Sequence, residues 1–177
     1  MDKSFDIEVC GMGNNITGYP GAFTPVVNDI IKFVTRDTAP DKILHLFSGV
    51  SSIGGVRIDL ERPEATERSD VMEFIKTDAR HFDFVILDPP YEIHRKSKIE
   101  EYSRTSSVAA DVKLRRAIEE YLIHHADNVL WLDMCAPLPK GFSRKKLWFL
   151  FPGGYHTIRV LSWMERYVNN LGIKESA

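Results

Sequence analysis

Asp88-Pro89-Pro90-Tyr91 sets a carboxylate, a stiff double-proline turn and an aromatic ring directly behind the apolar run Phe82–Leu87. In an open α/β sheet, ligands sit beyond the carboxyl ends of the strands, so a polar residue at that point stands where reactions occur. The chemistry that suits this group is attack by an amino nitrogen whose lone pair is delocalised into a ring. Such a nitrogen becomes nucleophilic when both of its N–H groups are held by acceptors. The Asp88 carboxylate can accept one and the Pro89 carbonyl the other, with the prolines fixing both acceptors in advance. Tyr91 can stack on the ring. The plainer alternative is a strand-ending turn, because Asp and Pro favour turns anywhere.

The elements needed to position this group are legible on either side. Thr24-Pro25 starts a helix, with Thr as N-cap, Pro in the first turn, and Val26, Val27, Ile30, Ile31 and Val34 at helical spacing. Lys42–Phe47 reads as a buried strand ending in Ser48-Gly49, and Val56–Leu60 as another. Asp70–Lys76 is expected to be a short helix, Phe82–Leu87 a strand, Glu92–Ser107 a long loop and Ala109–Ala126 an amphipathic helix. Asn128–Met134, Lys146–Phe151 and Thr157–Trp163 complete the strands, the last two joined by a hairpin-like turn. Strands alternating with helices and ending in an antiparallel pair predict an α/β fold, mostly parallel with a reversed C-terminal strand. Residues 1–25, rich in Gly, Asn, Thr and Pro, read as a loop-dominated arm.

Composition bounds the rest. A chain of 177 residues fits one domain over 1–177. Its longest apolar runs fall far below a membrane span and its N-terminus lacks signal-peptide character, so no membrane association and a cytoplasmic location are expected. Cys10 and Cys135 lack any paired spacing, and His45, His124, His125 and His156 lack ligand-like companions, so no metal is expected. His45, inside an apolar strand, reads as a core residue. The net charge of −2 argues against a surface that tracks phosphate throughout. Arg95, Lys96, Lys98 and Arg104 lie close to Tyr91 and are the candidates for local phosphate contacts.

With these residues on the page, the Asp88-Pro89-Pro90-Tyr91 motif resembles that of the class I S-adenosylmethionine-dependent amino-methyltransferases, most closely the N6-adenine DNA methyltransferases. Leu44-His45-Leu46-Phe47-Ser48-Gly49-Val50-Ser51-Ser52-Ile53-Gly54 is similar to the methyl-donor loop of that family, with His45 in place of its usual Asp and Ser51 in place of its second glycine. The resemblance implies a Rossmann-like class I methyltransferase sheet and S-adenosylmethionine as cofactor, with Phe47, Ser48 and Gly49 in the donor loop. It also implies Asp59 on the donor ribose, Asp70 (with Asp78 as rival) on the donor adenine, and Thr24 within the segment that covers the methionine part. Asp59 alternatively serves an ion pair with Arg57 or Arg62, and Asp70 a helix N-cap.

Gly49–Gly55 is too short for an ordinary helical crossover, so the first helix is expected to be shortened or missing. Either this segment makes a single turn between parallel strands, or Val56–Leu60 is not the second strand. The implied activity is methyl transfer to an exocyclic amino group, with adenine N6 in DNA first and an RNA base as alternative. The implied partners are nucleic acid and, because little chain is left for reading a target, a recognition subunit or a second copy in a homodimer. A non-catalytic nucleic-acid-binding or assembly subunit with a degenerate donor site is the reading from a different class.

Overall fold

The computed structural model describes residues 5–19, 22–89, 112–153 and 157–167. Among them, eight strands form one sheet: β1 (Asp6–Gly11), β2 (Ile43–Leu46), β3 (Val56–Asp59), β4 (Glu67–Arg68), β5 (Phe82–Leu87), β6 (Ala126–Asp133), β7 (Phe142–Phe151) and β8 (Arg159–Arg166). Their order is β1-β7-β8-β6-β5-β2-β3-β4. Pairing is parallel except for β6–β8 and β7–β8. This is the Rossmann-like sheet that the sequence predicts, mostly parallel with an antiparallel C-terminal pair. No helix among the described residues is long and apolar enough to cross a membrane.

The central strands are predominantly apolar because both faces are covered. Helix α1 (Pro25–Thr35) packs Val27 and Ile31 against Ile43, Phe84, Ile86, Leu130 and Leu132. Helices α2 (Val71–Thr77) and α3 (Val112–His125) pack Val71, Phe74, Ile118 and Leu122 against Leu44, Leu46, Val85, Leu87 and Val129 on the opposite face. Alternation along each strand deals one residue to each layer, so β2 sends Leu44 and Leu46 to α2 and α3 while Ile43 faces α1.

The short segment after β2 resolves in favour of the single turn. β2 and β3 pair in parallel although only residues 47–55 join them, with no helix. The chain returns along the α1 face, where buried Ile53 joins the core that an amphipathic helix would otherwise supply. It then passes hard against the 3-10 turn Pro40–Lys42, with Gly55 N–H donating to Pro40 O at 2.6 Å. A Cβ on Gly55 would lie 2.7 Å from that oxygen, and one on Gly54, at φ 91°, 2.9 Å from Ile43 O. Glycine at both positions is what permits so tight a crossover.

The N-terminal arm differs from the expected loop. Asp6–Gly11 forms β1 and pairs in parallel with β7 at the sheet edge, with Ile7 and Val9 exposed. β7 also begins at Phe142, earlier than its apolar run suggests, because Ser143–Lys146 is a partly solvated polar stretch with a register shift between Arg144 and Lys146.

Candidate functional site at the carboxyl edge of the sheet

From β2 the chain winds outward through β3 and β4; from β5 it winds the other way through β6, β8 and β7. The crevice between the carboxyl ends of β2 and β5 is therefore the topological switch point, where sheets of this kind place ligands. Phe47-Ser48-Gly49 follows β2 there and Asp88-Pro89 follows β5.

The β2 side is a strained turn. Phe47 adopts φ 59°, a left-handed conformation uncommon for an aromatic residue, and Gly49 follows at φ 52°. The turn is held by Ser48 N–H to Ile58 O at 2.9 Å and Ser51 N–H to Ser48 O at 2.9 Å. Ser48 is 4% exposed, and its hydroxyl has no hydrogen-bond partner among the described residues. A buried polar atom without a partner is uncommon in folded proteins, and here it coincides with the strained turn.

Asp59, at the end of β3, joins the turn to the following loop. Its Oδ2 accepts from Gly49 N at 3.0 Å, and its Oδ1 accepts from Glu61 N and Arg62 N, each at 3.0 Å. A carboxylate offers about four lone-pair directions, so one remains on Oδ2. No ion pair with Arg57 forms its main support: Arg57 instead donates to Gly54 O and Glu64 O.

Asp70 and Asp78 separate clearly. Asp70 caps α2, its Oδ1 accepting from Met72 N at 2.7 Å, and its neighbour Ser69 donates through its backbone N–H to Asp59 O at 3.1 Å. It is exposed and stands at the carboxyl edge beside Asp59. Asp78 closes α2 at the opposite edge, where Tyr121 Oη donates to it at 2.8 Å and Arg80 pairs with it. Burial, then the contact with Asp78, pushes the Tyr121 hydroxyl far above its ordinary pKa. The cluster ties α2, α3 and β5 together and lies away from the switch point.

Residues 12–19 and 22–24 belong to a loop fixed at its base, where Met12 N–H donates to Phe151 O and Thr24 Oγ1 donates to Met12 O at 2.6 Å. Thr24 also caps α1, so its hydroxyl is engaged within the loop. At the far side, Asn15 and Thr17 hold the Tyr19 backbone, and the Tyr19 ring lies over Gly49, where an added Cβ would come within 3.2 Å. The Arg62 guanidinium sits 4.1 Å from the centre of that ring. The sequence reading placed Gly18–Pro25 over the methionine part of the donor by position alone; among the described residues of that segment, Tyr19 contacts Gly49.

Asp88 is half-buried and Pro89 buried behind Leu87. Pro90, Tyr91, Arg95, Lys96, Lys98 and Arg104 lie outside the described residues. His45 is fully buried in β2, stacked on Phe23 with ring centres 5.3 Å apart, and burial lowers its pKa to about 4. It is a neutral core group, as its setting in the sequence suggests.

One residue escaped the sequence reading. Asp133 ends β6 directly after Val129–Leu132 and is only 3% exposed. The rule that singled out Asp88, an acid behind a buried apolar run, singles out Asp133 equally. The β5–β6 register ends with Leu87 paired to Trp131, and Asp133 stands two residues further along β6, at the same carboxyl edge as Asp88.

The chain is similar to a solved structure described as "Putative methyltransferase yhhF from Escherichia coli". The two share 13% identity over 83% of this chain and 89% of that chain, with a TM-score of 0.45. No protein-family model and no curated protein matches the sequence.

Proposed function

We propose that this chain is an S-adenosylmethionine-dependent methyltransferase acting on an exocyclic amino group of a nucleic-acid base, adenine N6 in DNA first and an RNA base as alternative. The observation that carries the reading is the switch point itself, flanked by the strained Phe47-Ser48-Gly49 turn on one side and Asp88-Pro89 on the other.

The residues fit the cofactor that the motif implies. Ser48 offers a buried hydroxyl without a partner, Gly49 lets a ligand approach the backbone closely, and Asp59 keeps one acceptor direction for a ribose hydroxyl. Asp70 adds an exposed acceptor at the same edge, one short loop away. Bound there, S-adenosylmethionine supplies an activated methyl group.

The chain's own contribution is to prepare the amine. Asp88 accepts one amino N–H and the Pro89 carbonyl accepts the other, which directs the nitrogen lone pair outward for in-line attack. Asp88 acts chiefly as an acceptor and takes up the amino proton at its carboxylate as the nitrogen becomes cationic. Reaching the amine requires a base that is unpaired or turned out of its stack.

The state of Asp59 favours a second reading. Three of its four acceptor directions serve the fold, leaving one where a vicinal diol would use two. A nucleic-acid-binding or assembly subunit that keeps this fold without donor chemistry fits that observation. Calorimetric titration with S-adenosylmethionine and S-adenosylhomocysteine separates the two, alongside radiolabelled methyl transfer to DNA and RNA. The methyltransferase reading expects micromolar donor binding, and Asp88→Ala retaining that binding while losing turnover. Activity of more than about a few per cent in Asp88→Ala would overturn Asp88 as the acceptor, since loss of one such donor or acceptor costs on the order of a hundredfold or more. Wild-type protein that binds no donor, even with nucleic acid present, would leave the subunit reading standing.

A further inference from the structure

The face of Gly49 that a ligand would approach is covered by the chain itself. A Cβ added to Gly49 would lie 3.2 Å from Tyr19 Cε1, so the ring rests on the turn in van der Waals contact. A ligand atom between them would need a contact distance of about 3.5–4.0 Å on each side, and that space is absent. The segment that carries Tyr19 is internally braced. Asn15 Oδ1 accepts from Thr17 N at 2.9 Å and from Thr17 Oγ1 at 2.8 Å, Thr17 Oγ1 accepts from Tyr19 N at 3.1 Å, and Asn15 Nδ2 donates to Tyr19 O. Gly13 and Gly18, at φ 72° and 73°, supply the left-handed positions that its path requires. Residues 13–18 are exposed, whereas Tyr19 is half-buried where the tip of the segment meets the body of the fold.

Arg62 fastens that contact and ties it to Asp59. Its guanidinium lies over the Tyr19 ring, 4.1 Å from the centre, while its backbone N–H donates to Asp59 Oδ1 at 3.0 Å. Gly49 N–H donates to Asp59 Oδ2 at 3.0 Å, so the circuit of Tyr19, Arg62, Asp59 and Gly49 closes on itself. Asp59 is thereby held to one open acceptor direction, on Oδ2, where a vicinal diol would use two. A shift of Arg62 that clears Tyr19 from the turn also withdraws the Arg62 N–H, after which Oδ1 and Oδ2 each have one direction to offer. We propose that Tyr19 and Arg62 form a latch that holds the donor site closed, and that its release uncovers Gly49 and frees Asp59 for both ribose hydroxyls together. The inference rests on the methyl-donor reading and gives the engaged state of Asp59 a reason within it. Donor binds the open state alone, so the observed affinity is reduced in proportion to the fraction of molecules that are open.

The test is calorimetric titration of the full chain with S-adenosylmethionine and S-adenosylhomocysteine, comparing wild type with Tyr19→Ala, Tyr19→Phe and Arg62→Gln. Both residues lie outside the two buried core clusters, so the variants are expected to fold. Tyr19→Ala removes the ring and should bind both ligands about five- to tenfold more tightly than wild type. Arg62→Gln keeps the backbone N–H but loses the cation over the ring, and should gain about two- to fivefold. Tyr19→Phe keeps the ring and should stay within about twofold of wild type. A ring that clasps bound donor would act with the opposite sign, so Tyr19→Ala binding no tighter than wild type overturns the latch and leaves methyl transfer standing. Donor bound only after Tyr19→Ala supports both. No binding by any form, with or without nucleic acid, overturns the methyl-donor reading and the latch with it. Hydrogen exchange across residues 48–51 without ligand reads the cover directly: Tyr19→Ala should raise it severalfold, and unchanged exchange overturns the contact.

Discussion

Replacing Gly55 by Ala probes the feature that most separates this fold from an ordinary parallel crossover. The new methyl group would meet Pro40 O at 2.7 Å, Pro40 C at 2.8 Å and Asp41 N at 2.9 Å, all backbone atoms that cannot swing aside. Overpacking of this kind costs about 1–3 kcal/mol, and rigid neighbours place it near the upper end. Displacing Gly55 also weakens its 2.6 Å hydrogen bond to Pro40 O, adding about 1 kcal/mol. The expected loss is therefore about 3–4 kcal/mol. With a urea slope of about 2 kcal/mol/M, the unfolding midpoint should fall by about 1.5–2 M. Gly153→Ala is the control, because nothing lies within 4 Å of its added carbon, and it should change stability by no more than about 0.5 kcal/mol. A Gly55→Ala midpoint indistinguishable from wild type would show that the crossover does not pass against Pro40 and would refute the account of how nine residues replace a helix.

Two further outcomes follow from buried polar groups. Because burial lowers the His45 pKa from an ordinary 6.5 to about 4, the unfolded chain takes up a proton there before the folded one does. Stability should be unaffected above about pH 6.5, fall by about 3 kcal/mol toward pH 4 and level off below, while His45→Phe, which keeps the stack on Phe23, should flatten that slope in urea titrations across the range. Tyr121→Phe removes the 2.8 Å hydrogen bond to Asp78, whose side chain is only 4% exposed, and should cost about 1–2 kcal/mol in thermal or urea unfolding. Donor affinity should not move, since that cluster stands at the amino edge; a parallel loss of donor binding would place Asp78 in the site after all.

The layered core was readable because both faces of the central strands are buried, which makes Ile43–Leu46 and Phe82–Leu87 mostly apolar, broken only by His45 and Asp83. β1 was not, because Ile7 and Val9 project from an edge strand into solvent and give no signal of burial. The short crossover raised the right alternatives from its length, but the choice between them lay in the contact of Gly54 and Gly55 with residues 40–43, which no local pattern encodes. At the site, Asp88 was visible from the apolar run before it, and Asp133 carried the same signal without the prolines that drew attention. Tyr19 was marked only by its position within Gly18–Pro25 and not by its residue type: its contact depends on a loop that the fold brings across Gly49 from a distant base.

That base has a consequence for the order in which the molecule assembles. The loop carrying Tyr19 hangs from β1, whose register partners are Lys146 to Phe151, near the other end of the chain. During synthesis β1 must wait unpaired until β7 has emerged, because a contact between distant segments forms only after the closure entropy between them is met. The Gly49 turn, made of neighbouring residues, can form early, yet the aromatic cover across it arrives with the last strands. Loss of the β7–β8 hairpin should therefore release that cover, although in the described residues neither strand reaches the turn.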